Sequence, residues 1–179
     1  GILWPLTETV KTRKYWYSIP ENNLQKANLF MQYVANDRFY CPFSLKEMVS
    51  DRCFHRILLK NQNSFNKIAL ILNSSFQMLI VMLMGRSGLG QGALKFETTD
   101  AKKMMTLKPD IITSKNEKID KIIKKLGSRK PLSIFIECGI NPKDEVPIEL
   151  QDPKPLPDRK ELDDLVFDAL CLPTLYMQK

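Results

Sequence analysis

The sequence predicts an α+β domain: a twisted mixed or antiparallel sheet packed on a long apolar helix over residues 64–84, with further amphipathic helices outside it. Three observations lead there. A strongly apolar stretch, Ile68 to Met84, follows Ser64 and stops at Gly85, a serine start and a glycine end being the usual limits of a helix. Runs rich in aromatic and β-branched residues come before it, as strands require. Two later segments repeat apolar residues at helical spacing behind a serine or an aspartate.

Taken in order, Trp4 to Tyr17 mixes Thr, Val and aromatics between Pro5 and Pro20 and reads as a lead-in with a short strand. Asn22 to Ala35 is compatible with a short helix, whereas Arg38 to Cys41 before Pro42, and Cys53 to Lys60, look extended. In the 64–84 helix, Ile68, Leu70, Ile71, Leu72, Phe76, Leu79, Ile80, Met82 and Leu83 surround most of the circumference, so it should be packed on several sides. The glycine-rich loop Gly85 to Gly92 then feeds a strand over Ala93 to Glu97. Ser114 and Glu117 have the spacing of a capping box ahead of the stripe Ile119, Ile122, Ile123 and Leu126. Pro131 to Glu137 reads as a strand, and a proline-rich connection leads to a second capping box, Asp158 and Glu161, and a final acidic helix. The expected organisation is a core over 1–135, with 136–179 as a connection and helix packed on the same domain.

Charge is distributed unevenly over the 179 residues, whose net is +7. Residues 1–135 hold 22 Lys and Arg against 10 Asp and Glu, while 136–179 hold 5 against 10. A basic body of that kind suits a polyanion, because each cation placed on a phosphate releases condensed counterions. Double-stranded DNA is the first candidate. Seven basic residues between Lys115 and Lys130, among them Lys115, Lys118, Lys121 and Lys125, form one backbone-contact face. Arg13, Lys14, Arg38, Arg52 and Arg56 stand beside aromatics, and arginine can read guanine in two hydrogen bonds, as Gln or Asn can read adenine. Arg86, Gln91 and Lys95 supply donors around the glycine loop.

Other chemistries find little support. The glycine loop lacks the Gly-Lys-Ser/Thr ending of a phosphate loop. Cys53 and His55 could form a nucleophile pair only as an ordinary turn-flanking pair would. Cys41, Cys53, Cys138 and Cys171 show no zinc spacing and are expected to be reduced thiols in a cytoplasmic protein. Asp163, Asp164 and Asp168 fit a solvated helix face. The apolar stretch, broken by Asn73, Ser74, Ser75 and Gln77, falls short of a membrane span.

Three stretches together carry a resemblance: Arg13 to Ile19; the pair Asn36 to Tyr40 and Ser50 to Ile57; and Ala69 to Ser75 followed by Gly85-Arg86 and Gly88 to Lys95. They resemble the C-terminal specificity domain of TaqI-like adenine-specific DNA methyltransferases of restriction-modification systems, and Arg159 to Leu170 looks like the helix that often follows it. The resemblance implies target-site recognition opposite a catalytic lobe that uses S-adenosylmethionine and receives the flipped adenine. The parent enzyme is then a methyltransferase, possibly fused to an endonuclease. The lobe's own glycine motif and Asn/Asp-Pro-Pro-aromatic motif are missing from this sequence, so the chain is expected to be a piece of a longer enzyme or a separate subunit, with no catalytic or metal-binding residues of its own. The alternative reading is a protein-interaction module that docks a partner through its C-terminal helix.

Overall fold

The computed structural model describes residues 8–18, 24–87, 90 and 92–171. The class is as expected: helices combined with two small antiparallel sheets of three strands each. In the first sheet β1 (Lys26–Gln32) lies between β3 (Phe43–Val49) and β4 (Phe54–Arg56); in the second β6 (Leu94–Lys95) lies between β2 (Val34–Ala35) and β5 (Arg86–Ser87). Where a short helix was compatible with residues 22–35, the chain forms β1. Ala27, Leu29, Phe30 and Met31 are all buried there, and a central strand covered on both faces shows a continuous apolar run instead of alternation. The strand expected within residues 4–17 is absent among the described residues, which instead hold a single helical turn, α1 (Glu8–Lys11).

The long helix expected over 64–84 is two helices, α2 (Phe65–Leu72) and α3 (Ser75–Met84), bent by 73° at Asn73 and Ser74. The bend has identifiable causes. The Asn73 amide donates to the carbonyls of Cys41 (3.0 Å) and Ala69 (2.8 Å), and its oxygen accepts the Cys41 N–H at 2.9 Å. Ser74 then caps α3 by accepting the Gln77 N–H, while its hydroxyl donates to the Ile71 carbonyl at 2.7 Å. Two polar residues thereby stop one helix and start another. Ser64 makes no side-chain cap; a 3-10 turn over Gln62–Ser64, capped by Asn61, leads into α2 instead. Among the described residues, no single helix is long and apolar enough to cross a membrane.

After α4 (Thr98–Lys103), α5 (Asn116–Gly127) buries Ile119, Ile122 and Ile123 against α2 and is amphipathic as expected, but no side-chain cap forms at its start. The run read as a strand at 131–137 contains α6 (Ile134–Cys138), because Ser133 caps the Ile136 N–H and Gly139, at φ 67°, ends the turn. Helix α7 (Pro157–Ala169) packs on α3 and α5. Its expected capping pair is used otherwise: Asp158 accepts from Arg129 at 2.6 Å, and Glu161 from Lys125 at 2.6 Å. Leu162, Leu165 and Val166 of α7 enter one core with Leu29 and Met31 of β1, Ala69 to Leu72 of α2, Phe96 and the isoleucines of α5.

Candidate nucleic-acid interface

The tightest grouping of the expected contact residues is on the β5–β6 hairpin. At its base Gly85 leaves no room for a side chain: a Cβ there would lie 2.8 Å from Phe96 and 3.0 Å from both Leu94 and the Val81 carbonyl. The chain can therefore turn from α3 straight into β5. Gly90 and Gly92 both have positive φ, 80° and 74°, and the loop closes as a turn between two strands, so it does not open a helix as a nucleotide loop does.

The register pairs Lys95 with Arg86 on one side and with Val34 on the other, and directly opposed residues point to the same face of a sheet. Arg86 and Lys95 are thus neighbours on one face. Each is held by a carboxylate from the segment that follows. The Arg86 guanidinium donates to Asp100 at 2.7 Å, and the Lys95 ammonium lies 2.6 Å from Glu97 and 5.3 Å above the Tyr33 ring. The Tyr33 hydroxyl donates to the other Glu97 oxygen at 3.0 Å, and the second Asp100 oxygen accepts the Glu97 backbone N–H at 3.1 Å. The hydrogen bonds between partners raise the pKa of Arg86 and Lys95 and lower those of Asp100 and Glu97, so all four are ionised across the neutral range. Behind them the His55 ring hydrogen-bonds the Phe96 carbonyl through Nε2 at 2.8 Å. A carbonyl only accepts, so that nitrogen carries the proton.

The remaining candidates are distributed over other elements. Arg13 is half-buried and donates to the Ser18 carbonyl at 3.0 Å; Lys14 lies exposed, 5.5 Å from the Tyr15 ring centre. Tyr15 and Tyr17 stack, with Trp16 edge-on to Tyr17, and all three are exposed. Arg38 and Arg52 are exposed, and no hydrogen bond or ion pair to them is described. Arg56 lies on β4 and donates to Gln25 at 2.8 Å. Gln91 lies outside the described residues. Lys115, just ahead of α5, and Lys118, Lys121 and Lys124 on it are exposed, while Lys125 is turned onto both oxygens of Glu161. The carboxylate partners on the hairpin were not among the expected site residues. Glu97 and Asp100, two acids three apart just after the glycine loop, were the available signal; Tyr33 gave none.

Beside the α5 lysines is a second, buried group of charges. Arg129 grips both Glu137 oxygens, at 2.8 and 3.1 Å, and Arg159 donates to Glu137 at 2.6 and 2.8 Å and to the Asn73 carbonyl at the helix bend. Burial alone would raise the Glu137 pKa, but the Arg129 hydrogen bonds and the Arg159 charge outweigh it and hold the carboxyl down to about 2. Asp163 is buried too, contrary to its expected place on a solvated face. It accepts the Ser75 N–H at 2.8 Å and hydroxyl at 2.6 Å, and desolvation raises its pKa.

The Cys53–His55 pair lacks the geometry of a nucleophile and its base. No described hydrogen bond joins Cys53 to His55, and a hydrogen bond and the charge of Asp51 push the Cys53 thiol up, away from the reactive thiolate. All four cysteines are free. No group of three His, Cys, Asp or Glu that could hold a metal ion occurs among the described residues.

A family model described as the C-terminal domain of the type II methyltransferase M.Eco57I matches residues 7–135. No curated protein and no solved structure matches the chain.

Proposed function

The chain belongs to the family of the C-terminal domain of the type II methyltransferase M.Eco57I, and from that premise we propose that it recognises the DNA target of an adenine-specific restriction-modification methyltransferase. The observation that carries the proposal is the surplus of cations. The matched span, 7–135, holds 22 Lys and Arg against 10 Asp and Glu, and exposed members of that set lie on the hairpin, on β4 and along α5. Lysines on α5 grip the phosphate backbone, while Arg86 and Lys95, with Arg13, Lys14, Arg38, Arg52, Arg56 and Gln91, supply contacts nearer the bases. Double-stranded DNA is the ligand and a catalytic methyltransferase lobe the partner.

S-adenosylmethionine serves the methyl transfer in that lobe. The residues here do not fit it: the glycine loop joins two strands of a hairpin, where a cofactor cradle needs a loop between a strand and a helix. The domain's contribution is to bind and orient the duplex so that one adenine faces the lobe. Its place of work in this reading is the cytoplasm.

The rival reading, docking of a partner through the C-terminal helix, is less favoured by the burial of its apolar stripe. Leu162, Leu165 and Val166 are all buried in the chain's own core.

The test is an anisotropy titration with random-sequence duplexes at about 50 and 200 mM salt, followed by selection and sequencing of the bound fraction. Binding through six or more phosphates weakens by about a thousandfold or more over that range, and recognition enriches a short motif. A chain that binds no duplex at the lower salt is not a DNA-reading domain.

A further inference from the structure

The two sets of cations differ in one respect that decides what each can do. On α5, Lys118, Lys121 and Lys124 are exposed, with no ion pair to them described. On the hairpin, Arg86 and Lys95 face Asp100 and Glu97 at 2.7 and 2.6 Å, so the four formal charges cancel. Affinity for a phosphate backbone comes from uncompensated charge and the counterions it releases, and a neutral hairpin contributes little of that. What it has is direction. One Nη2 hydrogen bond to Asp100 tethers one edge of the Arg86 guanidinium and leaves most of its five donors free, in a side chain that is 61% exposed.

The segment behind this pair is built to hold the carboxylates still. Asp100 is fixed through its second oxygen to the Glu97 backbone, and Glu97 through the Tyr33 hydroxyl, itself on the chain beside β2. A planar fork tethered at one edge still offers the paired donors that match the O6 and N7 acceptors of guanine in the major groove. We propose that Arg86, buttressed by Asp100, reads a guanine of the target, and that Asp100 and Glu97 are specificity-positioning residues. Lys95, its cross-strand neighbour, donates to an adjacent acceptor. The grip is left to the α5 lysines. This inference rests on the DNA-recognition reading above and adds to it the base, the reader and the residues that orient it.

The experiment uses the whole 179-residue chain, with the random-duplex selection repeated for Asp100→Asn and Arg86→Lys. The wild type is expected to enrich a motif with a guanine position. Asp100→Asn should flatten the preference at that position by about tenfold or more, while its affinity for unselected duplex stays level or rises, since a negative charge has gone. Arg86→Lys should flatten the same position with the salt dependence unchanged; it leaves Asp100 and its hydrogen bond to Glu97 in place, so it remains informative even if Asp100→Asn folds poorly. A merely structural role for Asp100 would weaken binding to every sequence together. Unchanged preference in Arg86→Lys, or an equal loss on all sequences, overturns the guanine reading while DNA recognition stands. A wild type that binds no duplex overturns both.

Discussion

The hairpin and the helical end of the molecule are built from the same parts, arginines paired to carboxylates, yet they put them to opposite uses. Around α5, α6 and α7 the pair is sealed: the Arg159 and Glu137 side chains are 9% and 4% exposed, and the carboxylate receives hydrogen bonds from Arg129, Arg159 and the Leu132 backbone. On the hairpin the Arg86 side chain is 61% exposed, where solvent screens the attraction and the pair adds little stability. Buried charge that is fully hydrogen-bonded fixes one packing of the chain, since any other leaves an ion without a partner. An exposed pair fixes only a side chain's direction. The contrast therefore assigns folding to the buried set of ion pairs, while the exposed set carries the proposed presentation of Arg86.

Breaking the sealed network should have the largest effect. Glu137→Gln leaves two arginines facing a neutral group and is expected to cost about 3–5 kcal/mol in urea denaturation; a loss below about 1 kcal/mol would put this pair in the same class as the exposed one. The pH dependence follows with its sign. Glu137 titrates at about 2 in the fold and near 4.3 when unfolded, so its stabilisation is complete above the unfolded value and disappears as pH falls from about 4.5 through 2. Asp163, whose pKa is raised by burial, works the other way and favours the fold slightly more at low pH. Glu137→Gln should remove the first trend and leave the second.

Next in size is Gly139→Ala. The backbone there has φ 67°, and an added Cβ would fall 1.9 Å from the Lys154 carbonyl oxygen. Left-handed strain and overpacking together should cost about 2–4 kcal/mol, read from the same denaturation curves. If the loss is nil, the 153–155 connection moves freely and does not clamp α6. The smallest change in stability, within about 0.5 kcal/mol, is expected for Lys118, Lys121 and Lys124 all changed to Gln. For DNA the same variant should lower the slope of log affinity against log salt by about 2 to 3, and an unchanged slope would show that the α5 face does not touch the backbone.

What could be read from the sequence was whatever depends on near neighbours. The Ile119, Ile122, Ile123 stripe gave α5, and the acidic α7 followed from Leu162, Leu165 and Val166. The bend at Asn73 could not be read, because its partners Cys41 and Arg159 lie 32 and 86 residues away. The first segment of the third stretch that carries the family resemblance, Ala69 to Ser75, spans this structural junction. α6 was missed although Ser133 and Gly139 flank it, since a short apolar run has no decisive period. Of the candidate interface, the cations were legible and their pairing was not: Asp100 meets Arg86, fourteen residues away, only because α4 folds back beside the hairpin.

The α7 contribution to the core bears on transferring specificity between enzymes. The span that carries the family pattern ends at 135, but Leu162, Leu165 and Val166 complete the packing around α2 and α5, and Glu137 is the counter-ion of Arg129. A graft cut at 135 would move the proposed reading surface without its foundation, exposing an apolar face and a half-buried arginine. A swap intended to move target choice from one methyltransferase to another should carry the chain through Ala169.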